Sequence, residues 1–428
     1  MRKRRVSFAI IFAIVFIDMV GFGILIPLLP YYGKTFLPEI EAIASYLGIV
    51  ATLEGLVIAV LFSVYSLMQF FFSPVWGRLS DRIGRRPVLL FNLLGSVAAY
   101  ILFGIAGSLL VLFFSRVLQG IFGAKIATAQ AYIADATDVD SRAKGMGMVG
   151  AALGLGFIFG PAIAGILVSL EPVVFKVEWL ARLMRNNIYA LPGFFAAGIS
   201  FVNFILVYVA LPETVTNATG HRVEQRYLNL RALWKALKTP NLAPLLLILF
   251  LVMVAFSGME STFALWAHAS LGISDKTNSY LFAYIGVLIA VVQGGLIGVL
   301  AKKFGERLLV VAGVGLMAVS LLLIPLSPST GILMLILIPL ALGNGLNTPS
   351  MNSLISQTSH SSDYGGILGF SQSTASLARI IGPLAGGLVY DAVGIQYPFI
   401  LGAIIMGVAL ILGWRFLLQH PSEVVFQE

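Results

Sequence analysis

The sequence predicts an all-α integral membrane protein of twelve spanning helices in two related six-helix bundles. Three observations carry that prediction. Of 428 residues, 59% are hydrophobic and 11% charged, with a mean hydropathy of +0.96, against about 45–50% and about 25% in soluble domains. Apolar runs of spanning length recur twelve times. Two separate motifs of the first half return in the second at nearly one spacing.

A span needs about 20 apolar residues, because the hydrocarbon core is about 30 Å thick and each helical residue rises about 1.5 Å. Such runs fall near residues 8–30, 55–76, 88–106, 108–134, 146–170, 190–210, 242–269, 279–300, 308–326, 331–353, 365–390 and 395–418. Helices are required, since lipid offers no partner to an unpaired backbone group and the runs are too long and too continuously apolar for barrel strands. The basic start "MRKRRVSF" raises the possibility of a cleavable signal. The run behind it is of spanning length, contains Asp18 and lacks a convincing small-residue cleavage site, so it reads as the first span.

Composition also excludes chemistries. With no cysteine and four scattered histidines, disulfides, thiolate zinc sites and metal clusters are not expected, nor is any cofactor. The net charge of +8 marks cytoplasmic loops and anionic lipid surfaces in such a chain, so no nucleic-acid partner is expected. With the N-terminus inside, 19 of the 27 Lys and Arg fall on the inner side. Five lie outside (Lys34, Lys176, Arg182, Arg185, Lys276) and three within helices (Arg116, Lys125, Arg379). That asymmetry places both termini in the cytoplasm, and a bacterial cytoplasmic membrane and a monomer are expected.

The organisation reads as a six-helix bundle over 1–210, a cytoplasmic linker over 211–240 and a second bundle over 241–428. Within the linker, Leu228, Leu230, Leu233, Trp234 and Leu237 interleave with Arg231, Lys235 and Lys238. This suits a helix lying on the inner leaflet, and a solvated linker fits equally well. Residues 171–187 are a further candidate for an interfacial segment. The halves are related: "GRLSDRIGRR" (77–86) recurs as "GVLAKKFGER" (298–307), and "GPAIAG" (160–165) as "GPLAGG" (382–387), at offsets of 221 and 222. A six-helix repeat about an axis along the membrane normal is characteristic of transporters, with the substrate site between the halves near the midplane. No G-x-x-x-x-G-K-[ST] phosphate loop is present, so an ion gradient is the expected energy source.

Four segments carry a family resemblance. "GRLSDRIGRRPVLL" (77–90) is similar to the signature loop of the major facilitator superfamily. "FIDMVGFGILIPLLP" (16–30), "SRVLQGIFGAKIATAQAYIAD" (115–135) and "GLGFIFGPAIAG" (154–165) resemble the first-, fourth- and fifth-helix motifs of its twelve-span drug:proton antiporters, including tetracycline and multidrug exporters. The resemblance implies the major facilitator fold, no enzymatic activity, and export of a small molecule against protons by alternating access. Tetracycline itself is not the expected substrate, because Ala99 stands where the tetracycline exporters carry an acid in helix 3.

The candidate residues follow. In the inner loop, Gly77 and Gly84 permit a tight turn and close approach of helix ends. Asp81 suits the positive end of a neighbouring helix, which the resemblance makes helix 11, and Arg85 can pair with Asp135. With Arg86, these form a candidate cytoplasmic latch, the alternative being charges that only fix topology. Intramembrane charges cost at least about 2.5–3.5 kcal/mol each at the bilayer centre unless they face a cavity or a partner. Asp18 with Arg116, and Glu260 with Arg379, are therefore candidate proton-coupling pairs, a static structural pair being the alternative. Lys125, 9 residues beyond Arg116, falls on roughly the opposite helical face and has no assigned role. Gly156, Gly160, Pro161 and Gly165 are candidates for a gating helix that slides between the halves. Phe22, Gln119, Tyr284, Gln293, Asn344, Asn347 and Gln372 are candidate substrate contacts, giving an apolar, aromatic pocket suited to amphipathic drug-like compounds. The partners are then a small-molecule substrate, protons and membrane lipid. A metabolite transporter, a lipid or glycolipid flippase, and a non-transporting receptor or scaffold remain alternatives.

Overall fold

The computed structural model describes residues 8–46, 53–125, 128–129, 131–133, 139–174, 187–213, 242–357 and 364–419. These residues form helices and no strand. Ten helices among them are long and apolar enough to cross a membrane, and Leu109–Gly123 is a shorter apolar one. The first span is α1 (Phe8–Leu25), a turn at residues 26–28, and α2 (Leu29–Lys34). Its break follows from Pro27, which has no N–H for the helical ladder. After α3 (Leu37–Tyr46) come α4 (Glu54–Ile83), α5 (Arg85–Gly104), α6 (Leu109–Gly123), α7 (Val139–Val174) and α8 (Ala190–Ala210). The second half has α9 (Leu242–Leu271), then α10 (Asp275–Val291), which continues through a π turn at Val292–Leu296 into α11 (Ile297–Phe304). α12 (Glu306–Leu323), α13 (Thr330–Gln357), α14 (Tyr364–Ala392) and α15 (Tyr397–Gly413) complete it.

Two departures from the hydropathy reading bear on the site. α4 runs seven residues past the apolar segment, so "GRLSDRI" is helix and the expected loop shrinks to Gly84. Gly84 has φ +108°, a conformation that strains any residue bearing a Cβ. The repeat preserves this: Gly305, at φ +77°, joins α11 to α12. Gly77, by contrast, lies inside α4 with open space around its Cα, so neither a turn nor a close approach requires it. The expected fourth span is interrupted: α6 ends at Gly123 and residues 124–125 turn, and the described residues 128–129 and 131–133 are helical again.

The described residues fall into two compact units. One takes in those of 1–36, 64–226 and 274–283, and the other those of 37–63, 227–273 and 284–428. In the first, α7 lies backbone to backbone on α1. A Cβ on Gly160 would meet Gly23 Cα at 2.6 Å, and one on Gly156 would meet Met19 Cβ at 2.2 Å. In the second, α14 lies on α9 in the same manner, a Cβ on Gly382 reaching Val254 O at 2.4 Å and one on Gly386 reaching Gly258 O at 3.0 Å. The repeated "GP…G" motif is thus a packing device within each unit. Close approach of small residues maximises dispersion contacts where lipid supplies no hydrophobic drive.

Candidate functional site

Asp18, midway along α1, is buried and ion-paired. Lys125 Nζ lies 2.6 Å from Asp18 Oδ1 and donates to Ser96 Oγ of α5 at 2.6 Å. The expected partner, Arg116, is instead 4.9 Å over the Tyr65 ring and donates to Gln119 Oε1. The backbone after Gly123 accounts for this partner. A nine-residue offset on an unbroken helix would send Lys125 away from Arg116, but the chain leaves helical geometry after Gly123, and the turn redirects Lys125 towards α1.

These groups enclose a cavity lined by Asp18, Met19, Phe22, Tyr65, Ser96, Tyr100, Gln119, Gly123 and Lys125. Its volume of about 10 Å³ is near the smallest that holds one water. In this conformation it accommodates a proton or a water and excludes a drug-sized molecule. Phe22 stacks on Tyr65 with centroids 4.9 Å apart. Gln119 Nε2 has no acceptor among the described residues. The sequence reading named Asp18 as a coupling residue and Phe22 and Gln119 as substrate contacts. It left Lys125 unassigned and did not find Tyr65, Ser96 or Tyr100, because a hydroxyl on an apolar helix carries no signal until the fold shows what it faces.

The second unit carries the other two charges expected to couple. Glu260 on α9 and Arg379 on α14 are both half-buried. The remaining candidate contacts are dispersed within this unit. Tyr284 donates to Met334 O at 3.3 Å, Asn344 Oδ1 accepts from Thr348, and Gln293 sits in the π turn. Asn347 is buried against α12, 3.2 Å from where a Gly313 Cβ would stand, which is a packing position. Gln372 is exposed.

The charged segment 77–86 forms a connected cluster. Asp81 pairs with Arg85 at 2.5 Å, one turn along. Arg85 Nη1 donates to Ser80 Oγ at 2.6 Å. Arg86 donates to Tyr208 O and lies 5.6 Å over the Tyr208 ring. Glu213, just beyond α8, caps α5: its Oε1 accepts from Arg85 N and its Oε2 from Arg86 N, each at 3.0 Å. The sequence reading missed Glu213, whose "LPET" context reads as ordinary linker. Asp135 and the end of α14 expected to receive Asp81 lie outside the residues whose side chains are described. In the gating motif, Gly156 and Gly160 face α1, and a Cβ on Gly165 would meet the Tyr280 ring at 2.9 Å. All three contacts lie within the first unit, and Pro161 continues the same helix.

Repeated helix pairs, a buried ion pair in the first unit and ten apolar spans among the described residues define a membrane transporter built from two related halves. Comparison with known proteins then names its kind. The Major Facilitator Superfamily model matches residues 11–303 and 294–428, and the chain belongs to that superfamily. It is 30% identical over 427 residues to the class E tetracycline resistance protein of Escherichia coli, covering 99% of this chain and 97% of that protein. To multidrug resistance protein 2 of Bacillus subtilis (strain 168) it is 26% identical, with 96% of both chains covered. In fold it matches the crystal structure of a bacterial homolog to the human lysosomal transporter Spinster, with a TM-score of 0.75 at 14% identity over 96% of this chain and 97% of that one. Its relatives are transporters, not enzymes.

Proposed function

We propose that this protein is a proton-coupled antiporter that exports amphipathic drug-like molecules from the cytoplasm by alternating access, with both termini inside. The observation that carries this reading is the Asp18–Lys125 pair, closed around a cavity of about one water. While Asp18 is charged, the pair is neutral as a unit and tolerable inside the membrane. A proton on Asp18 cancels its attraction for Lys125 and leaves an ammonium buried without a counter-ion. That imbalance favours any rearrangement that solvates or re-pairs Lys125. A substrate bearing a positive group competes with both the proton and Lys125 for the same carboxylate, which is the exchange logic of antiport. Glu260 on α9 and Arg379 on α14 are a second candidate for proton coupling, in the other unit. Support for the substrate class comes from the aromatic wall of Phe22 and Tyr65 and from the tetracycline and multidrug names of the relatives. The 19 inner Lys and Arg support the orientation.

The test is ethidium flux in proteoliposomes under an imposed pH gradient. Wild type is expected to move ethidium against the proton flow, and Asp18→Asn to lose the gradient dependence. Flux indifferent to the gradient would sink antiport, and no flux of any probe would favour a receptor or scaffold.

A further inference from the structure

Asp391 closes the last turn of α14. Its Oδ1 accepts from Gly55 N and its Oδ2 from Leu56 N, each at 2.8 Å. These are among the first N–H groups of α4, which have no partner within their own helix, and the carboxylate stands at the positive end of that helix dipole. The contact is fitted. One turn before Asp391, a Cβ on Gly387 would meet Gly55 O at 2.3 Å, and one on Gly55 would meet Gly387 O at 2.6 Å. Deeper in the membrane, Ser63 Oγ donates to Ile380 O at 2.8 Å, so the two helices run antiparallel here. Residues of α4 up to Ser63 group with the second unit, and those from Val64 onward with the first.

We infer that Asp391 is a releasable clasp that holds shut the face of the transporter opposite the "GRLSDRIGRR" segment. α4 thereby carries an aspartate near its inner end, Asp81, and receives one from α14 at its other end. The inference rests on the alternating-access reading and adds a positioning residue to it. When the face opens, α4 parts from α14, and water takes over both the carboxylate and the two N–H groups. A clasp of this chemistry is strong enough to bias the closed state and is readily undone, whereas the glycine contact sets how closely the helices seat. The carboxylate touches neither proton nor substrate in this scheme.

The chain has no native cysteine, so Ser63→Cys introduces a single thiol behind the clasp. Its labelling by a membrane-impermeant maleimide, applied from the Asp391 face, reports opening. In the Ser63→Cys background, Asp391→Ala is expected to raise the labelling rate by about fivefold, the population shift that loss of a helix cap corresponds to. Asp391→Glu is expected to restore slow labelling, and Asp391→Asn, which keeps a single acceptor oxygen, to fall between. Equal rates in all four proteins, or a Glu variant as fast as Ala, overturn the clasp. Should Asp391→Ala fail to fold, the order wild type, Asn against Glu still decides. Ethidium flux in the same vesicles separates the two ideas. Loss of gradient dependence in wild type removes antiport and leaves the labelling order to stand or fall alone.

Discussion

Removing the Lys125 ammonium from between Asp18 and Ser96 leaves a carboxylate buried with no counter-ion. Breaking a buried pair in this way destabilises by about 3–5 kcal/mol, so Lys125→Met alone is expected to give poor yield and early thermal unfolding in detergent. Asp18→Asn with Lys125→Met removes both charges, and the double variant is expected to recover stability while its ethidium flux no longer follows the pH gradient. Recovery of coupling in that double variant would show that the pair is structural. At this scale the sequence was only partly legible. Asp18 stands out as an acid in an apolar run, and so does Lys125 as a base, but their pairing depends on a turn after Gly123 that no periodicity announces. Arg116 was the expected partner, and the place was taken by Lys125, which an unbroken helix would have put on the face opposite Arg116.

Helix ends and helix crossings are the next level, and there glycines and carboxylates work together. Glu213 satisfies two N–H groups at the start of α5 just where Gly84 turns the chain. Its replacement by Ala is expected to cost about 1 kcal/mol, read as a fall in melting temperature with flux retained. Gly160→Val meets backbone at Gly23 rather than a movable side chain, so overpacking of about 1–3 kcal/mol is expected. Gly77→Ala, with open space around it, is expected to be neutral or slightly stabilising, as for Gly to Ala in a helix interior. Equal effects at 77 and 160 would mean that the motif glycines serve flexibility, not seating. The motif spacing made both glycines visible; which of them is crowded depends on the neighbour each one meets.

On the scale of the whole molecule, the repeat is physical as well as textual. Gly84 and Gly305 adopt the same left-handed break, and α7 on α1 is matched by α14 on α9. Charge asymmetry along the chain predicts its sidedness. A cysteine placed at Lys303 is expected to react only with reagent supplied from the cytoplasmic side, and one at Lys276 only from the opposite side. Labelling of both from one side would invert or abolish the proposed topology. The described end of α11 and start of α10 lie at opposite ends of a single span, so the two sites report on one helix.

Hydrophobic run length, basic asymmetry and the 221-residue echo determine a membrane protein of two related halves from the sequence by itself. Each is a property summed over many residues and survives any local surprise. The tertiary structure alone decided that Lys125 takes Asp18, that Glu213 caps α5, and that Asp391 reaches Gly55 across 336 residues of chain. Those contacts are single hydrogen bonds and ion pairs within about 3 Å. A turn of one or two residues, as at Gly123, is enough to make or lose them, and helical periodicity does not resolve a change that small.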